Sequence, residues 1–167
     1  MNRAVLDSSI LLKSIFKPLR SLSNEVYARE LETHSKCRML LRLLDEREVE
    51  VCIPRACIVE TAAVVRRLSN RSTARKISQG IMESYEVTDE LLLFDTAWMI
   101  AMDTGSSGFD SYFIALALIK NATLLTDDSG MNHHAGTAGI DSILIRETDA
   151  QTIETLFEDK DNSDAEY

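Results

Sequence analysis

Arg3-Ala4-Val5-Leu6-Asp7-Ser8-Ser9-Ile10-Leu11-Leu12 places a short apolar run directly before an acid and two hydroxyl residues, then turns apolar again. Residues 3–6 read as a strand. Ser8 and Ser9 can cap a helix over about 10–16, which Pro18 follows closely. The same order recurs along the chain. A second strand over 49–53 ends at Pro54, which is well placed for the first turn of a helix running to about Leu68. Ile58, Val59, Ala62, Val65 and Leu68 form the expected inner face of that helix. A strand over 122–126 runs into Asp127 and Asp128, and another covers 142–145, with a shorter one over 85–87. Between them lie a long helix or helical hairpin over 23–46 and a helix over about 72–83. Thr88 starts a helix in which Leu91, Phe94, Trp98, Ala101 and Met102 follow helical spacing, with Trp98 expected in the core. Residues 105–108 break it. Residues 109–119 are apolar almost all round, the pattern of a buried helix. Apolar strands alternating with helices predict a parallel sheet covered on both faces, an α/β fold.

With 167 residues the chain can build one sizeable core. Residues 1–150 are expected to form that domain, 151–167 a helix end and acidic tail, and 160–167 a polar, disordered terminus. No apolar run approaches the ~20 residues that cross a bilayer. Asp7 comes too early for a signal peptide, so the expected location is the cytoplasm, without a membrane partner. Cys37, Cys52 and Cys57 lack a paired spacing and read as reduced core residues rather than zinc ligands.

The net charge of −9 argues against tight binding of nucleic acid over the whole surface. The charge is uneven: residues 1–80 carry a net +6 and residues 81–167 a net −15. Arg66, Arg67, Arg71, Arg75 and Lys76 form either a phosphate-contacting edge or a solvated helix face.

In an open parallel sheet, ligands bind at the carboxyl ends of the strands. Asp7 follows the first strand, and Asp127 and Asp128 follow a later one; Glu60 and Asp110 lie near the starts of their helices. All can meet at one rim. Each alone has a structural explanation: Asp7 and Asp110 can be helix caps, Asp127 and Asp128 turn residues, and Glu60 a salt-bridge partner. Together they repel, since two carboxylates ~4 Å apart cost about 4 kcal/mol at an effective dielectric near 20. A divalent cation is the simplest compensation. Oxygen ligands suit Mg²⁺ or Mn²⁺, and such ions activate water for attack on phosphate.

Four segments resemble the motifs of PIN domains. Val5-Leu6-Asp7-Ser8-Ser9-Ile10-Leu11-Leu12 is similar to their opening. Ile58-Val59-Glu60 with Thr61-Ala62-Ala63-Val64-Val65 resembles their second motif, and Phe109-Asp110-Ser111-Tyr112-Phe113-Ile114-Ala115-Leu116-Ala117 their third. Leu124-Leu125-Thr126-Asp127-Asp128 resembles their fourth, which sets its acid two residues after the threonine, at Asp128. The resemblance covers residues 3–145. It implies a three-layer α/β/α sandwich around a mostly parallel, twisted sheet. It also implies a Mg²⁺- or Mn²⁺-dependent ribonuclease like the toxins of VapBC pairs, with RNA as substrate, a small antitoxin as partner, and homodimerisation. Asp7 and Asp110 would be central ligands, completed by Glu60 and Asp128, with Ser9 and Thr126 holding carboxylates by hydrogen bonds and Asp127 as an additional or supporting acid. Arg66, Arg67 and Arg71 would contact RNA.

The long stretch around residues 20–46 and the acidic second half depart from a compact toxin and leave room for a role in RNA maturation or decay. A PIN-like module that binds RNA or assembles without turnover keeps the same fold; the full set of four acids counts against it. A phosphoacceptor domain would want an acidic pair at the first strand, where only Asp7 stands. His133 and His134 are adjacent, do not share a helix face, and read as ordinary surface or core residues.

Overall fold

The structure is a computed structural model and describes residues 3–158. Strand β1 (Arg3–Leu6) leads through α1 (Ser8–Ile15) and α2 (Asn24–Glu46) to β2 (Glu50–Pro54). Helices α3 (Arg55–Leu68) and α4 (Arg71–Ser84) lead to β3 (Glu86–Thr88), and α5 (Glu90–Thr104) and α6 (Gly108–Lys120) to β4 (Thr123–Thr126). Then come α7 (Ser129–Thr137), β5 (Ser142–Leu144) and α8 (Ala150–Thr155).

The five strands pair in the order β3-β2-β1-β4-β5, and every pairing is parallel. Parallel neighbours need crossovers, and right-handed crossovers send the helices between β1 and β3 to one face and those between β3 and β5 to the other. The packing agrees: α1 lies on α2 and α3, and α3 on α4, whereas α6 lies on α5, α7, β1 and β2. The result is a three-layer α/β/α sandwich. Both faces are covered, so Ala4, Val5, Leu6, Leu124 and Leu125 are fully buried in succession rather than in alternation. Helix α8 sits beside α2 with Ile153 fully buried. The terminus expected over 160–167 lies outside the described residues.

Residues 24–46 form one 23-residue helix, the first of the two expected alternatives. Expectations for three other helices change. Helix α5 turns Leu93, Ala97 and Ile100 inward, while Trp98, expected in the core, is 56% exposed together with Phe94 and Met102. Helical periodicity identifies the residues that share a face, but where both faces are apolar it does not say which one is buried. Helix α3 is offset in the same way: Cys57, Thr61 and Val65 point inward, and Val59 and Leu68 are exposed. Helix α6 is buried along Phe113–Ala117, but Phe109, Leu118 and Ile119 are exposed near its ends.

Among the described residues no helix is long and apolar enough to cross a membrane.

Candidate metal centre at the carboxyl end of the sheet

The chain leaves β1 toward β2 on one side and β4 toward β5 on the other, so the order reverses between β1 and β4. Such a switch point opens a crevice at the carboxyl ends of the two strands. Asp7 and the run Thr126-Asp127-Asp128 stand there, joined by a 3.0 Å hydrogen bond from the Asp7 amide to the Leu125 carbonyl.

Asp7 occupies the N-cap position of α1, yet hydroxyls rather than a cap bond take up its carboxylate. Thr126 Oγ1 donates to Asp7 Oδ2 at 2.8 Å, and Ser9 Oγ donates to the same oxygen. Ser8 Oγ lies 2.8 Å from Glu60 Oε2 and 3.3 Å from Asp7 Oδ1, so its single proton is shared between two carboxylates. Asp7 is 3% exposed. Burial, only partly offset by these hydroxyls, pushes its carboxyl up from the ordinary aspartate value, and Asp128 adds repulsion.

Glu60 lies on the solvent side of α3, not against the buried face the sequence suggests. Although the residue as a whole is exposed, its carboxyl end is partly enclosed and is also pushed up, by that partial burial first, which the Ser8 hydroxyl opposes, and then by Asp7, Asp110 and Asp128. The four acids from four separate motifs therefore share one electrostatic neighbourhood. Asp110 sits in the first turn of α6, whose cap is Ser107 Oγ, bonded to the Asp110 amide at 3.2 Å. Asp128 caps α7 by accepting from the Met131 amide at 2.9 Å. The sequence hides that helix, because Ser129-Gly130 reads as a turn; on it His133 is exposed and His134 half-buried.

Asp127 behaves differently. It is 2% exposed and its carboxylate faces away to Lys13 and Arg146. Burial opposes its ionisation, but hydrogen bonds and charge from Arg146 and Lys13 win and hold its carboxyl below the ordinary value. These two cations are thereby committed to Asp127. Ser8 escapes sequence reasoning as a site residue: its position reads as a helix cap, yet it bonds a partner 52 positions away, a relation that no local pattern carries.

Among the described residues, one trio of potential metal-ligating atoms lies mutually within 4.8 Å: Glu50, Cys52 and Glu86, toward the opposite, amino-terminal edge of β2 and β3. Arg3 Nε lies 2.7 Å from Glu50 and Lys120 Nζ 2.5 Å from Glu86, so its acids are already neutralised. Burial first, and then Glu86, push the Cys52 thiol up to about 12, far from the thiolate a metal would need. The rim acids stand wider apart than this trio, but they fit a hard cation better: every donor is an oxygen, and among the described residues no cationic side chain is paired with them.

An open parallel α/β sandwich with an acidic rim at its switch point is thus the class of protein defined by fold and site. The PIN domain profile matches residues 4–136, and the chain belongs to the PIN domain family. PIN domains are generally nucleases. The fold is similar to a chain in the crystal structure of VapBC2 from Rickettsia felis bound to a DNA fragment from their promoter. Identity there is 14% and the TM-score 0.57, over 84% of this chain and 96% of that one. It is also similar to a chain of FitAcB from Neisseria gonorrhoeae, at 19% identity and a TM-score of 0.48, over 84% and 96% of the two chains. No curated protein matches the sequence.

Proposed function

We propose that the chain is a Mg²⁺- or Mn²⁺-dependent endoribonuclease acting in the cytoplasm as the toxin of a VapBC-type pair, with a small antitoxin as partner. The observation that carries this reading is the set of four carboxylates, Asp7, Glu60, Asp110 and Asp128, gathered at the switch point while the nearby Lys13 and Arg146 are spent on Asp127. A divalent cation there would neutralise the acids and lower the pKa of a water that attacks the phosphodiester. Asp7, Glu60, Asp110 and Asp128 would hold it, directly or through water. Ser9 and Thr126 fix the direction of the Asp7 carboxylate. The test is cleavage of a mixed single-stranded RNA pool with Mg²⁺, with Mn²⁺ and with chelator. Cutting that chelator stops supports the reading. No cutting by folded protein would shift it to an RNA-binding or assembly role.

Arg66, Arg67 and Arg71 are exposed, and among the described residues none is paired with a carboxylate. Arg66 and Arg67 lie on α3 about 10 Å along its axis from Glu60. We assign them to RNA phosphates flanking the scissile bond. Neutralising all three should weaken RNA binding and flatten its dependence on salt, measured as log K against log salt, by roughly 0.7 for each phosphate that no longer meets a cation. An unchanged slope would make the cluster a solvated face only.

The exposed stripe Phe94, Trp98 and Met102 on α5, with Phe109 on the adjoining α6, is more apolar than a solvated helix surface should be. We assign it to a second copy of the chain, through an isologous contact. Trp98→Glu should turn a sedimenting dimer into a monomer. A wild type that stays monomeric at tens of micromolar would remove this assignment. The antitoxin is better matched to the 370 Å³ groove lined by Leu12, Phe16, Leu22, Val26 and Leu68, which suits the apolar face of a partner helix.

A further inference from the structure

The carboxylate of Asp127 has no capacity left for a cation. Arg146 Nε reaches Oδ1 at 3.0 Å and the Arg146 amide reaches it at 3.2 Å. Arg146 Nη2 reaches Oδ2 at 2.9 Å and the Asp127 carbonyl at 2.6 Å. Lys13 Nζ lies 2.5 Å from Oδ2 and 2.5 Å from Glu30 Oε2. Two cations and two carboxylates thus form a neutral cluster joining α1, α2, β4 and the segment after β5.

The main chain of the same residue points the other way. The Asp127 amide donates to Ser9 Oγ at 3.1 Å. With that lone pair engaged, Ser9 turns its own proton to Asp7 Oδ2. The Asp128 amide does the same for Thr126 Oγ1, at 2.9 Å, and Thr126 donates to Asp7 Oδ2. Two hydroxyls, each oriented by an amide of one short turn, converge on a single oxygen of Asp7. On the other oxygen, Oδ1, the Ser8 hydroxyl lies farther off, at 3.3 Å.

We propose that Asp127 is a positioning residue, clamped by Lys13 and Arg146 so that its turn, acting through Ser9, holds Asp7 with Oδ1 presented to the metal. This rests on the metal-dependent reading above and assigns to it one atom and four supporting side chains, Asp127, Lys13, Arg146 and Ser9. Asp127 is then no metal ligand. Its charge fixes the backbone that fixes the ligand.

The test is a Mn²⁺ titration of the full chain, read by the loss of the free-ion electron paramagnetic resonance signal. It compares wild type, Arg146→Met, Ser9→Ala and the double variant, with circular dichroism to confirm folding. Ser9→Ala and Arg146→Met should each weaken binding about tenfold. In the double variant the Arg146 effect should largely vanish, because the clamp acts through the hydroxyl already removed. Arg146→Lys should recover part of the affinity. Lys13→Met gives an equivalent cycle should Arg146→Met not fold. Unchanged affinity, or two effects that multiply fully, would overturn the inference while leaving the metal site standing. A folded wild type that binds no Mn²⁺ would overturn both.

Discussion

Asp7→Asn is expected to lower metal-dependent RNA cleavage at least about a hundredfold, beyond the usual range for residues that only support a ligand. The substituted amide has nearly the same shape. Its oxygen can still accept from Ser9 and Thr126, which sets the amide nitrogen where Oδ1 stood. An NH₂ group cannot ligate a cation. Single-turnover cleavage in Mn²⁺ reads the loss, and a variant cutting at the wild-type rate would remove Asp7 from the site. The thermal stability of the metal-free protein should move the opposite way. Asp7 and Glu60 ionise against burial and against one another's charge, so removing one charge relieves a cost. In chelator, Asp110→Asn should melt above wild type, and a lower melting point would argue against a crowded acidic rim.

Asp127→Ala should cost about 3–5 kcal/mol of folding stability, the range for breaking a buried ion pair from one side. It leaves Lys13 with Glu30 alone and strands the Arg146 guanidinium. Urea unfolding at pH 7 measures it, and a loss below about 1 kcal/mol would show that the cluster is more solvated than its burial implies. The wild type should respond to pH in two stages. The folded-state values of Asp7 and Glu60 are raised, so their destabilisation of the metal-free protein is fully present above those values. It fades as pH falls through those raised values toward the ordinary carboxylate range near 4. Asp127 is lowered, so its stabilisation is present above its unfolded value and is lost as pH falls further, through its folded value. Stability in chelator should therefore rise before it falls on acidification, and the second stage should be weaker in Asp127→Ala.

Much of this arrangement is legible in the residues. Arg3–Leu6 followed by an acid, and Thr123–Thr126 followed by two, mark strand ends by composition alone, and strand ends are where a parallel sheet places chemistry. Motif spacing separates Asp128 from Asp127; the distinct environments of the two side chains have a physical origin the sequence does not display. Adjacent residues at the end of a strand point to opposite faces, so one acid enters the core and the other stays at the rim. Lys13 and Arg146 look like ordinary surface charges in the sequence, because their partner is brought to them only by the packing of α1 and β5 against β4. The stripe on α5 is misread as core because composition reports apolar area and not the direction it faces.

The central position of β1 also sets a timetable for synthesis. Its pairing with β2 is available once residue 54 has been made, but its other edge waits for residues 123–126. A chain still emerging from the ribosome can carry Asp7, Glu60 and Asp110, yet it lacks the strand that pins the Asp7 backbone and the threonine that aims its carboxylate. At about 5–20 residues per second, several seconds separate the first acid from the last. An incomplete chain therefore holds three of the four charges without the geometry that organises them, and the rim closes only when most of the protein exists.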